Sequence, residues 1–170
     1  RMTYIENHDS NSWEGTVREN YAGGLEAATA LAFTGEGIPL AYNGMEACND
    51  KRLEFFEKDA IDWSKLGDAQ TCEYGQLLQD LIVFRKANAA LESGQWGARM
   101  QKVETNQPER VLAWVREEDS NKVLGLFNFY SETTEVTFAD GLPAGNYTEF
   151  RGGNTALASG DTIAIPAWGF

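Results

Sequence analysis

The chain has 170 residues with 26 acidic against 14 basic side chains and a formal net charge of −12. That length suffices for one domain or for a domain with a satellite, and falls short of the roughly 250 residues of a complete eight-fold α/β barrel. The acidic balance excludes a nucleic-acid partner and an anionic membrane surface, both of which need a cationic face, and no apolar run reaches the roughly 18 residues of a membrane-spanning helix.

Arg1 opens the chain without an apolar, cleavable leader and reads as an internal or processed position. Residues 2–6 form a short strand that runs into the polar cluster Asn7-His8-Asp9-Ser10-Asn11-Ser12, the place where α/β folds carry their chemistry. Leu25, Ala28, Leu31 and Ala32 recur at helical spacing, and Gly35-Glu36-Gly37 stops that helix. Ile38 to Tyr42 is a second apolar strand, punctuated by Gly44. Strand, helix and strand within about forty residues imply a parallel pair. Residues 49–64 are charged and aromatic without a sustained period and read as a structured, solvated loop, in preference to residues 49–58 forming part of a cleft wall. Residues 73–91 place Tyr74, Leu77, Leu78, Leu81, Ile82 and Phe84 on one helical face, with Arg85 and Lys86 complementing the dipole of that helix. Cys48 and Cys72 are too few for a disulfide framework and too far apart for a Cys-x-x-Cys site; they read as buried thiols in preference to one bridge.

Past Ser93-Gly94 the period changes from helical to alternating. Val111, Ala113 and Val115 alternate with Leu112 and Trp114, Asp119-Ser120-Asn121 turns the chain, and 123–129 returns it. Further short strands are expected at 134–138, 147–150 and 162–165, separated by turns at Asp140-Gly141, Ala144-Gly145-Asn146 and Arg151-Gly152-Gly153-Asn154. Such spacing argues for an antiparallel sandwich. The fold class is therefore mixed α+β, with a boundary near residue 94. Trp96, Trp114, Trp168, Tyr130 and Tyr147 are read as sandwich core in preference to a stacking platform.

His8 is the only histidine, which excludes a two-histidine metal site and a histidine-relayed Gly-x-Ser-x-Gly hydrolase. A His-Asp pair at a strand end is by itself more often structural than catalytic. Here it keeps informative company. Tyr4-Ile5-Glu6-Asn7-His8-Asp9 is followed by Gly37-x-Pro39-x-x-Tyr42-Asn43-Gly44-x-Glu46, then Ile61-Asp62-Trp63, then Leu81-Ile82-x-x-Arg85-Lys86-x-Asn88-x-x-Leu91.

Taken together and in this order, these runs resemble the final signatures of α-amylase-type glycoside hydrolases. The resemblance implies that residues 1–93 are the C-terminal part of a (β/α)8 catalytic barrel and that 95–170 are an all-β C-terminal domain. It implies a parent that acts on α-1,4-glucosidic bonds by a retaining mechanism, in which a nucleophile and a general acid sit about 5–5.5 Å apart. It makes Asp9 a third, transition-state-stabilising carboxylate and His8 a ligand of sugar hydroxyls, with Asn7 orienting the pair. Trp13 and Tyr42 are substrate-binding candidates; Trp13 reads equally as a packing residue, and for Tyr42 packing is the preferred reading. The nucleophile belongs to a Gly-x-Arg-x-Asp signature that is not found here, so the chain is expected to be inactive alone. The implied partner is an α-glucan or malto-oligosaccharide, with self-association of an incomplete barrel as a further reading. No cofactor or metal is expected in this chain, while calcium is compatible with a longer parent. The alternative is a non-catalytic glucan-binding or structural module. Ala60 and Ala89 stand where relatives often carry proline, which touches loop rigidity and not chemistry.

Overall fold

The computed structural model describes residues 1–138 and 144–170. Strands β1 (Met2–Thr3) and β2 (Ile38–Pro39) pair in parallel, Met2 opposite Ile38. Between them lie a π-helical turn (Ser10–Glu14) and helices α1 (Val17–Tyr21) and α2 (Leu25–Thr34). The expected strand–helix–strand unit is present, but its strands are shorter than the apolar runs that encode them. Ile5 and Glu6 are both buried, which breaks the alternation of a strand. A reciprocal capping box starts α1: the Thr16 hydroxyl accepts from Glu19 N, and the Glu19 carboxylate accepts from Thr16 N.

Helix α2 packs against both α3 (Glu73–Ala87) and β5 (Asn121–Asn128). Two-sided cover shifts its most buried side to Ala27, Ala30 and Phe33, while Ala28, Leu31 and Ala32 are half-buried. On α3, Tyr74, Leu77, Leu78 and Leu81 are buried as expected, whereas Ile82 lies outside that stripe and is 39 % exposed. Asn88 leaves helical geometry at φ −120° and ψ 106°, so the expected 73–91 helix splits into α3 and a 3-10 turn at Ala89–Leu91. Arg85 does not serve its own helix. It donates to Phe33 O at the end of α2, to Gly37 O in the turn before β2 and to the Ser93 hydroxyl.

The cysteines are disulfide-bonded, which corrects the free-thiol reading. Gly75 lets α3 approach the 3-10 turn Met45–Ala47 so closely that a Cβ there would sit 2.4 Å from Glu46 O. This approach leaves the Cα atoms of Cys48 and Cys72 5.6 Å apart, within bridging distance, and both residues are buried.

The second half contains β3 (Gln101–Val103), β4 (Val111–Glu118) and β5 in one antiparallel sheet, ordered β3-β4-β5. Strands β6 (Thr134–Val136) and β9 (Ile163–Ile165) pair antiparallel, as do β7 (Gly145–Thr148) and β8 (Asn154–Leu157). Strands β3 and β8 were not anticipated. Asn154 belongs to β8 and not to the preceding turn, since Thr148 and Asn154 pair across the hairpin. The expected Asp140-Gly141 turn lies outside the described residues.

Strand β4 is covered on both faces, which explains its nearly continuous apolar run. Val111 and Ala113 pack with Val136, Phe138 and Ile165 in the sandwich core. Trp114 joins Phe127 and the buried residues of α2 and α3. Trp114 lies across Gly125, its neighbour in register, where a Cβ would fall 2.3 Å from the indole.

Two further ties join the halves. Arg116, 1 % exposed, donates from Nε to Ala98 O, from one terminal nitrogen to Thr34 O and Gly35 O, and from the other to Glu92 O. Trp168, at φ 55°, lies over Gly23 and Gly24, where a Cβ on Gly23 would meet the indole at 2.8 Å. Trp114 and Trp168 are thus packing residues. The Tyr130 ring lies beneath the Arg110 guanidinium at 4.0 Å, Tyr147 is half-buried, and Trp96 is 67 % exposed.

Candidate functional site

The chain leaves β1 through buried Ile5 and Glu6 and emerges at Asn7-His8-Asp9. Asn7 and Ser10 lock the turn reciprocally: Ser10 N donates to Asn7 Oδ1 and Asn7 N donates to Ser10 Oγ, each at 2.9 Å. His8 and Asp9 then face solvent, with side chains 66 % and 63 % exposed and His8 Nε2 3.7 Å from Asp9 Oδ1. Both are therefore open to a ligand. The imidazole is stacked on Phe55, with ring centroids 5.7 Å apart.

Beneath the turn, Asn11 is 1 % exposed and holds the 49–64 loop. Its amide nitrogen donates to Glu6 Oε1 and Lys51 O, and its amide oxygen accepts from Leu53 N. Ser12 Oγ donates to Leu53 O, and Arg52 donates to Ser12 O. Further along, Lys51 and the N–H groups of Glu54 and Ala60 hold Asp59 ionised, with its pKa lowered to about 2. The loop is structured, as expected, and it is also a cavity wall.

Burial pushes the Glu6 carboxyl above its ordinary value of 4.5, outweighing the hydrogen bonds from Asn11 and Val17 N–H. A raised folded value means that the native state binds more protons than the unfolded chain. The contribution of Glu6 to stability is then fully present below the unfolded value and is lost as pH rises through the raised one. Glu6→Gln keeps an acceptor for Asn11 and stays neutral, so its stability relative to the parent should increase as pH rises above 4.5. Urea midpoints measured across that window test this, and a difference that does not vary with pH contradicts it.

A cavity of about 560 Å³ opens between the turn and the loop, lined among others by His8, Ser12, Tyr42, Asn43, Phe55 and Trp63. Tyr42 is half-buried and packs on the core from the cavity wall; burial raises its phenol pKa, which keeps it a hydrogen-bond donor. Trp13 lines an adjoining cavity of about 380 Å³. The structure thus brings His8 and Tyr42 to one cavity, sets Asp9 beside His8, leaves Asn7 as the turn lock and places Trp13 next door. Sequence reasoning missed Asn11 and Trp63, read Asn43 as fixing the loop after the second strand, and ranked the segment of Phe55 and Phe56 as a solvated loop ahead of a cleft wall, whereas Asn43, Phe55, Phe56 and Trp63 all line the cavities. The signal for the phenylalanines was their adjacency in a charged, aperiodic stretch, where two neighbouring rings cannot both find a core.

Among the described residues no group of three or more His, Cys, Asp or Glu side chains could hold a metal ion, and none is assigned a cation. No described helix is long and apolar enough to cross a membrane.

Residues 103–167 match the family model of the α-amylase C-terminal all-β domain. Alpha-amylase 2 of Dictyoglomus thermophilum is 26 % identical over 145 residues, covering 78 % of this chain and 25 % of that protein. Alpha-amylase MalA of Haloarcula japonica is 29 % identical over 162 residues, covering 94 % of this chain and 22 % of that one. The chain spans about a quarter of the length of these curated relatives. Among solved structures, the maltogenic α-amylase AmyB from Thermotoga neapolitana superposes with a TM-score of 0.79 at 21 % identity, over 97 % of this chain and 39 % of that one. An α-amylase from Lactobacillus plantarum gives 0.69 at 20 % identity, over 98 % and 36 %. At those identities the structures share the fold.

Proposed function

We propose that this chain, which matches the family model of the α-amylase C-terminal all-β domain over residues 103–167 and is similar to two curated α-amylases over 78 % and 94 % of its length, forms part of an α-glucan-processing site. The observation that carries the proposal is the meeting of His8 and Tyr42 on one open cavity with Asp9 exposed beside them. His8 and the Tyr42 hydroxyl hydrogen-bond the hydroxyls of a glucose unit. Asp9 is the third carboxylate, whose negative charge opposes the positive charge that develops at the anomeric carbon of a retaining glycosidase. Asn7 acts behind them by fixing the turn.

A retaining reaction also needs a nucleophile and an acid. No Gly-x-Arg-x-Asp run occurs in these 170 residues, so we assign both groups to other polypeptide. The chain then binds malto-oligosaccharide without cleaving it. Calorimetric titration with maltotriose should give saturable binding that His8→Ala weakens by about tenfold, the worth of a hydrogen bond. No reducing sugar should be released. Binding that His8→Ala leaves intact moves the site to the β domain, where Trp96 is exposed, and favours the non-catalytic module.

A second reading concerns assembly. Parallel strands are ordinarily covered on both faces, yet Met2 and Ile38 are 58 % and 57 % exposed and Tyr4 is 49 % exposed. Further polypeptide covering this pair, including a second copy of the chain, accounts for that apolar surface. Sedimentation at rising concentration tests the second-copy form; a monomer throughout rules it out.

A further inference from the structure

Asn11 touches both sides of the His8 cavity. Its backbone N–H donates to Asn7 O at 3.0 Å, which ties it to the turn that presents His8. Its side chain reaches the opposite wall: Nδ2 donates to Lys51 O at 3.2 Å, and Oδ1 accepts from Leu53 N at 2.8 Å. Phe55 follows two residues after Leu53 and stacks on the imidazole. The gap between His8 and the wall is therefore set through one side chain. A further bond from Nδ2, to Glu6 Oε1 at 3.0 Å, holds that side chain in place.

The chemistry of the position requires an amide. Glu6 and Lys51 O present lone pairs while Leu53 presents an N–H, so the residue between them must donate on one side and accept on the other. A carboxylate supplies only acceptors, and here it would face the Glu6 carboxyl. Glu6 also faces Asp50 and the phenols of Tyr21, Tyr42 and Tyr74, none of which relieves a second negative charge. On the loop side, Lys51 is paired with Asp59, and Arg52 donates to Ser12 O. We propose that Asn11 is a positioning residue for sugar binding: by joining the His8 turn to the loop at Lys51 and Leu53, it fixes the width of the cavity and so its affinity for a glucose unit. This rests on the assignment of the His8 cavity to glucan. A released wall occupies its binding position only part of the time, and apparent affinity falls by that fraction.

The test is the pH profile of maltotriose binding by Asn11→Asp, with the parent chain measured at each pH and the fold followed by circular dichroism. At about pH 5 the two carboxyls share a proton, which restores a donor between them; at about pH 8 both ionise, repel and free the loop. Relative to the parent, the affinity of this variant should fall about tenfold from the lower pH to the higher. Adding Glu6→Gln should abolish that dependence, because the new amide donates to the new carboxylate and the two positions exchange roles. Where the single variant unfolds at the higher pH, the double variant decides: it should bind within about threefold of the parent at both pH values, the worth of the bond lost to Lys51 O. A larger loss in the folded double variant overturns the proposal. If His8→Ala weakens maltotriose while folded Asn11→Asp follows the parent at both pH values, the positioning role is wrong and the His8 site stands. If the parent chain binds no maltotriose, both assignments fall.

Discussion

Arg116→Ala is expected to destabilise the protein by about 3 kcal/mol or more, the cost of leaving several buried carbonyls without a donor, and to lower its thermal midpoint by on the order of 10 °C. The guanidinium is buried and satisfied by four backbone carbonyls, two of which, Thr34 O and Gly35 O, lie at the end of α2. Thr34 O carries the negative end of the helix dipole, and Arg85 donates to Phe33 O one residue before it, so the pair of arginines stands in for the C-terminal cap. Burial lowers the pKa of both arginines, yet a guanidinium stays charged at any pH the fold survives. Alanine leaves the carbonyls of two different segments facing a hole. Lysine restores the charge but not the planar fork, so Arg116→Lys should recover little of the loss. Denaturant unfolding followed by circular dichroism measures both. A loss below about 1 kcal/mol would mean that the halves are joined by apolar packing alone, with water serving the carbonyls equally well.

Breaking the Cys48–Cys72 bond, by reduction or by the double replacement with alanine, should cost about 3 kcal/mol for a sequence separation of 24 residues. Its local consequence matters more for the site. The enclosed segment carries Leu53, Phe55, Ile61 and Trp63, which help to form one wall of the His8 cavity. With the bond intact, the segment is tied at its ends by the disulfide and in its middle by Asn11 and Ser12. Without it, only the middle ties remain. Amide exchange in the 49–71 segment should quicken, and malto-oligosaccharide affinity should fall with it. An unchanged denaturant midpoint in the reduced protein would contradict this account of the loop.

Much of this was legible because periodicity reports burial directly. The helical spacing after residue 73 places Tyr74, Leu77, Leu78 and Leu81 inside, and the alternation after residue 110 marks β4 and β5. Where the reading failed, tertiary contacts had overridden local pattern. Residues 101–103 form β3 because Val115, Trp114 and Ala113 offer an edge, which nothing in Gln101-Lys102-Val103 announces. Arg85 reads as a cap for its own helix, and only the packing of α3 on α2 redirects it. The disulfide depends on the close approach of Gly75 to Glu46 O, a contact between two segments distant in sequence. At the site, the company of their motif singled out His8 and Asp9, which stand exposed beside one another in the structure. Asn11 was not, since a buried amide that anchors a loop 40 residues away leaves no periodic trace.

The most direct test uses the fact that His8 is the only histidine, so its imidazole gives one set of nuclear magnetic resonance signals without assignment. Titration with maltotriose should move those signals in a saturable way, and the indole signal of Trp96 should stay in place. A shifted Trp96 with an unmoved His8, or no shift at either, would contradict the claim that this cavity receives the sugar.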